Sequence, residues 1–307
     1  MLDNVGAYIC VLAEDTHWII DGVSDHVPVK PMPYTDHGVR VEAAEEMLLH
    51  GEKHVQSIFL DSDTAPAPEV VPPFIAQLPD LRCLFLPSQI APSLRPEMIG
   101  PHVKALSFYG RYDTKYWNNK TVSLSSEAPF SGIEALSGDT RCYRVENRFR
   151  FDPAIFPNLR YLGFTFDAKR QFADTLRALP HLISVSAAGF DSIDGLADLV
   201  PCQNLISLTL AWNSKIETLQ GIERFPNLRY LKLVSLTKLQ SLDAVVALQG
   251  LEFVGVYWSK RVEKAEVLIE LPAVIKINAF GNNLKEPSWQ RLKQAAAARG
   301  IDVRNMI

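Results

Sequence analysis

The chain has few cysteines, no run of one charge and no long apolar stretch, and each shortage excludes something. Its four cysteines, Cys10, Cys83, Cys142 and Cys202, lie far apart in no metal-ligand spacing. They read as reduced thiols packed as small hydrophobes, not as a disulfide framework or a zinc site. Net charge is −4 and no consecutive Lys or Arg residues form a stripe, which argues against nucleic acid and anionic membrane as main partners. No apolar stretch approaches the roughly 18 residues of a membrane span. The start, Met1-Leu-Asp-Asn, lacks the basic opening and apolar core of a signal peptide, so a cytoplasmic location is expected. Neither a G-x-S-x-G elbow nor a G-x-x-x-x-G-K-[ST] phosphate loop is present.

What the chain does have is a period. Leu159, Leu182, Leu205, Leu228, Leu251 and Val274 stand 23 positions apart, and most open the same short phrase. Leu159-Arg-Tyr-Leu162-Gly-Phe164 recurs as Leu205-Ile-Ser-Leu208-Thr-Leu210, Leu228-Arg-Tyr-Leu231-Lys-Leu233 and Leu251-Glu-Phe-Val254-Gly-Val256. Looser copies open at Val55, Leu81, Val103 and Ile133, which makes ten candidate units. A fixed period of 20 to 50 residues means a stack of like units, each burying its apolar face on its neighbours. At 307 residues such a stack needs no single large core.

Within a unit two periods alternate. Leu231 and Leu233 point one way and Tyr230 and Lys232 the other, as in a strand. The return stretch then spaces its apolar residues by three: Ile216, Leu219, Ile222, Phe225, and again Leu239, Leu242, Val245, Leu248. That spacing suits a 3-10 turn or short helix with one buried stripe. Pro79, Pro101, Pro157, Pro180, Pro226 and Pro272 sit two residues before an opening position and end each return stretch.

These phrases resemble the leucine-rich repeat signature L-x-x-L-x-L-x-x-N/C-x-L, over roughly three-quarters of the chain. The signature asparagine stands only at Asn213 and Asn282; Asp63, Asp167, Phe190, Leu236 or Ser259 replaces it elsewhere. Several turns should therefore be satisfied differently. The resemblance implies an α/β solenoid: a horseshoe with a parallel β-sheet on its concave face, short 3-10 or helical segments on its convex face, and a cap at each end. The expected organisation is an N-terminal cap over 1–50 and a solenoid of about ten repeats over 51–285, most regular over 156–282. A capping helix over 286–307 follows, beginning at Pro287 and stopped by Gly300. Within 1–50 a hairpin (8–12 with 18–20) and a helix (41–50) are expected.

Chemistry is sparse. Five of the seven histidines fall in the first 54 residues, and His50 and His54 are spaced i, i+4. This is not the H-E-x-x-H arrangement, and Gly51 weakens a helix there, so these read as solvated cap residues. Asp61 with Asp63, and Asp191 with Asp194, read as turn residues rather than calcium ligands. No metal, cofactor or catalytic set is expected.

The outward strand positions carry aromatics among small hydroxyl residues. Tyr161, Trp212, Tyr230, Lys232, Phe253, Tyr257 and Trp258 are the expected partner-binding residues, since Tyr and Trp dominate protein-binding hot spots. The expected function is a non-enzymatic module holding a partner protein on that concave aromatic face. Resemblance to internalins and phosphatase-regulating repeat proteins extends this to an inhibitor or immunity-like neutralising protein. Self-association through the same patch is a rival use. An effector or enzyme using the histidine-rich cap, with the repeats recognising substrate, is a second reading, and a carbohydrate or small-ligand binder a third.

Overall fold

The computed structural model describes residues 39–40, 57–60, 70–109, 122–138, 149–165, 171–189, 193–282 and 287–304. The expected hairpin, the 41–50 helix, His50, His54, Asp61, Asp63 and Asp191 lie outside the described residues. The chain forms two compact units, Met1–Thr165 and Phe166–Ile307. Their boundary falls within the first regular 23-residue repeat, just after its strand.

Each of the ten opening residues is followed, two positions later, by the first residue of a strand. In the first unit these are β2 (Ser57–Phe59), β3 (Cys83–Pro87), β4 (Ala105–Tyr109), β6 (Ala135–Gly138) and β8 (Tyr161–Thr165), preceded by β1 (Val39–Arg40). They lie in the order β1-β2-β3-β4-β6-β8, all parallel. The longer repeats opened by Val103 and Ile133 use their extra length for β5 (Val122–Leu124) and β7 (Phe149–Phe151). These two pair as a separate parallel sheet.

In the second unit the strands are β9 (Ser184–Ala188), β10 (Ser207–Ala211), β11 (Tyr230–Val234), β12 (Phe253–Tyr257), β13 (Lys276–Phe280) and β14 (Asp302–Arg304), side by side in chain order. Register is exact to the repeat: Leu208 faces Leu231, which faces Val254, which faces Ile277. Like positions therefore stack one strand spacing apart, about 4.8 Å.

Parallel neighbours need a long crossover, and the return segments supply it. Ile222–Arg224, Asp243–Ala247 and Ala265–Glu270 are 3-10 turns, while the repeat opened by Leu159 forms a true helix, α1 (Gln171–Ala178). The three-residue spacing is the buried stripe it appears to be: Ile216, Leu219, Ile222, Phe225, Leu239, Leu242, Val245 and Leu248 are all buried. With Leu231, Leu233, Val254 and Ile277 they form a core continuous along the second unit, each side chain contributing about 1.5–3 kcal/mol.

The C-terminal end is closed by α2 (Pro287–Ala298), which buries Trp289, Leu292 and Ala296 against the last return segment. Arg291 bonds Glu266 at 2.6 and 2.9 Å, and Arg299 donates to the carbonyls of Ile269 and Leu271. The chain then adds the three-residue β14 to β13; an edge strand this short offers little template for further pairing.

Gly221 shows how tightly successive returns stack. Its φ is +101°, and a Cβ there would run into the backbone of Leu196 and Ala197 in the preceding repeat. Gly221→Ala combines a left-handed penalty of about 1–2 kcal/mol with overpacking of about 1–3 kcal/mol. A loss of about 2–5 kcal/mol in urea unfolding is expected; an unchanged midpoint would contradict this packing.

Candidate binding edge

The turn that ends each strand is built the same way along the second unit. The eighth residue of the repeat is left-handed at Gly189 (φ 63°), Trp212 (55°), Ser235 (52°), Trp258 (50°) and Gly281 (68°). Its N–H donates to the carbonyl of the residue ending the next strand: Gly189 to Ala211 at 3.0 Å, Trp212 to Val234 at 2.9 Å, Ser235 to Tyr257 and Trp258 to Phe280 at 2.8 Å. The sheet ladder thus continues one residue beyond the strands, and the chain must turn sharply immediately afterwards.

The ninth residue satisfies that turn. Asn213 Oδ1 accepts from the N–H groups of Lys215 and Ile216, both at 2.8 Å. Asn282 Oδ1 accepts from the Ser259 N–H at 2.8 Å, and its amide donates to the Val256 carbonyl at 2.6 Å. Ser259 replaces the signature asparagine and does similar work: Oγ accepts from the Leu236 N–H at 3.2 Å and its hydroxyl donates to the Tyr257 carbonyl at 3.2 Å. Ser259 thus serves both its own turn and the one at Leu236, neither of which has asparagine.

The expected aromatic face needs correction. Tyr230, Phe253 and Lys276 form one row of facing residues, and all three are buried. Tyr161, in the first unit, is buried too, and Tyr257 is only 9% exposed. The sequence pattern gives the side of the sheet but not what packs there. Gly255 supplies part of the reason: a Cβ on it would meet Tyr257 Cε2 at 2.6 Å and the Phe253 ring at 3.2 and 3.3 Å. The third and seventh side chains of this repeat, Phe253 and Tyr257, therefore close over the glycine at its fifth position.

Cations complete the packing. The Arg229 guanidinium lies 5.7 Å from the Tyr230 ring centroid and Lys232 Nζ 5.1 Å from that of Tyr257, as cation–π partners. Arg229 also binds Glu252, whose second oxygen accepts from the Tyr230 hydroxyl at 3.3 Å. Burial, and then the Glu252 charge, push the Tyr230 phenol above its usual range. Burial works against the Arg229 charge, but its hydrogen bond to Glu252 and the neighbouring charges hold it above the ordinary guanidinium value. In the first unit Arg160 stands 5.6 Å from the Tyr161 ring.

The exposed aromatic side chains of the second unit lie at the strand exits. Trp258 is 48% and Phe280 41% exposed, with rings edge-to-face at 5.4 Å and 86°. Tyr257 adjoins Trp258 at 6.2 Å, and Trp212 is half-buried at the same turn position two repeats earlier. Phe280 is absent from the expected partner-binding set, although the 23-residue register pairs it with Tyr257, the residue before Trp258. Burying half of an indole's roughly 200 Å² contributes about 2–3 kcal/mol, against about 1–2 kcal/mol of left-handed strain. About 1 kcal/mol remains in favour of tryptophan, so fold stability alone gives only a small reason for it here.

Among the described residues no group of three or more His, Cys, Asp or Glu side chains could hold a metal ion. Asp194 instead pairs with Lys215 at 3.0 Å. Cys202 is buried, and burial raises its thiol pKa.

The Trp258 indole rests on Gly281, where an added Cβ would collide with the ring. Gly281→Ala is expected to cost about 1–2 kcal/mol of backbone strain and to lift the indole into water. A red-shifted Trp258 emission, taken as the difference from Trp258→Phe in each background, would report it; an unshifted band would contradict this seating.

No protein-family model matches the chain, and no curated protein matches it in sequence. Among solved structures, an internalin from Listeria monocytogenes is similar over 83% of this chain and 68% of its own, at 13% identity and TM-score 0.44. The TLR13–ssRNA13 complex is similar over 83% of this chain at 12% identity and TM-score 0.40, but this chain spans only 48% of the length of TLR13. The leucine-rich repeat domain of the type III effector XopL is similar over 74% of this chain and 69% of its own, at 17% identity and TM-score 0.33. These likenesses are distant, and the assignment stands on the chain's own geometry. Ten phrases with strands at one fixed place, parallel pairing and short helical returns make this a leucine-rich repeat protein by fold.

Proposed function

We propose that the protein is a non-enzymatic binding module that holds a partner protein at the strand-exit edge of its C-terminal unit, with Trp258 and Phe280 as anchors. One observation carries this reading: a half-exposed tryptophan occupies a left-handed turn position at which the next repeat has Gly281 and the preceding one Ser235. Its ring is fixed by Gly281 and Phe280, so little freedom is lost when a partner covers it. Large, rigid aromatic surfaces of this kind dominate binding hot spots.

Trp212 extends the edge. In this reading Tyr230, Phe253 and Tyr257 support the sheet beneath it, and Lys232 holds the Tyr257 ring. A role as an inhibitor or neutralising partner is the specific form that the family resemblance favours.

The test compares capture from native lysate by the wild-type chain and by Trp258→Ala/Phe280→Ala, with circular dichroism confirming that both are folded. A protein retained by wild type should bind the variant at least tenfold more weakly, since one hot-spot side chain contributes about 2 kcal/mol or more. Equal recovery by both would overturn the edge as the binding site. Concentration-dependent self-association, abolished in the same variant, would assign the edge to a second copy instead.

A further inference from the structure

The chain has no basic run, yet its fold assembles a basic row. Lys215, Lys238 and Arg261 each occupy the eleventh position of successive repeats, 23 residues apart. Their turns are stacked directly: the Thr237 N–H donates to the Asn213 carbonyl at 3.3 Å, and the Leu236 N–H to Ser259 Oγ at 3.2 Å. One strand spacing, about 5 Å, therefore separates like positions. All three side chains are exposed, as is Lys260 beside Arg261.

Asp194 partly neutralises Lys215, at 3.0 Å. Lys238, Lys260 and Arg261 carry no ion pair among the described residues. The acids nearest in sequence, Glu217 and Glu263, stand two positions further along their turns and are likewise exposed; neither pairs with the row. Like charges on adjacent strands repel by up to about 1 kcal/mol, so the row is a small cost to the folded chain. It also runs against the chain's overall charge of −4. The row ends at Arg261, three residues after Trp258, on the turn that this tryptophan opens and that also carries Lys260.

We infer that the partner presents an acidic segment: carboxylates lie along Lys238, Lys260 and Arg261 while apolar side chains engage Trp258 and Phe280. This inference rests on the proposed binding edge and adds the chemistry of what it holds. An apolar anchor with a rim of one sign selects partners of the opposite sign and steers their approach. A polyanion without apolar groups, such as nucleic acid, would use the row and leave the aromatic pair idle.

Three labelled synthetic peptides test this on the full chain by fluorescence anisotropy. They share length and their Leu and Phe positions, and carry Glu, Ser or Lys elsewhere; a single-stranded oligonucleotide is the fourth probe. The Glu peptide should bind at least tenfold more tightly than the Ser peptide. Lys238→Glu/Lys260→Glu/Arg261→Glu, at exposed positions, should erase that margin and turn the preference to the Lys peptide. Trp258→Ala should weaken both the Glu and Ser peptides. Equal binding of Glu and Ser peptides, both weakened by Trp258→Ala, would overturn the acidic partner and leave the edge standing. Tightest binding of the oligonucleotide, indifferent to Trp258→Ala, would overturn the acidic-protein inference in favour of a polyanion. No binding of any peptide would overturn both the inference and the edge.

Discussion

In the C-terminal unit everything depends on residue-for-residue register between parallel strands. Once Leu208, Leu231, Val254 and Ile277 are aligned, every other position of the repeat is aligned as well. The core then becomes a set of stacked rows, and each residue type is multiplied into a line. The same register fixes the turn: the ladder extends one N–H past the strand, and the chain must leave it through a left-handed residue. Three lines follow from this single constraint: the leucine core, the Asn and Ser bonds beneath the turn, and the exit residues with their basic neighbours.

The sequence gives away most of the frame because a period is a long-range signal. All ten strands begin at the third residue of their phrases, including the irregular ones opened by Val55, Leu81, Val103 and Ile133. The three-residue spacing marks the buried stripe of the returns, and the 3-10 turns over Ile222–Arg224 and Ala265–Glu270 end two residues before Pro226 and Pro272. The α1 helix is harder to foresee. Its repeat has the same length as those that follow it, and only the Phe172–Leu176–Leu179 spacing distinguishes it.

The site is less readable, for a physical reason. Alternation tells which side of a strand a residue takes, not whether it meets water there. Tyr230 and Phe253 take the expected side and are nonetheless buried; the packing of Phe253 and Tyr257 over Gly255 shows that a small residue between two aromatics marks a closed patch rather than an open platform. The edge was readable only by following the register across repeats. Trp212, Ser235, Trp258 and Gly281 share one position, and Lys215, Lys238 and Arg261 share another. Neither set forms a run in the chain.

Placing the proposed binding site at the edge, rather than on the face, also follows from packing. Face positions on adjacent strands lie about 5 Å apart, so large side chains there press on one another and bury each other's surface, as Arg229, Tyr230 and Glu252 do. A residue at the strand exit joins the ladder through its backbone N–H, and its side chain lies outside the stacked rows of the face. Trp258 can therefore remain 48% exposed while its N–H serves the sheet at 2.8 Å. Backbone duty and side-chain duty are separated at that position. The residue there can change without disturbing the leucine rows, and a repeat array can acquire a new partner at little cost to its core.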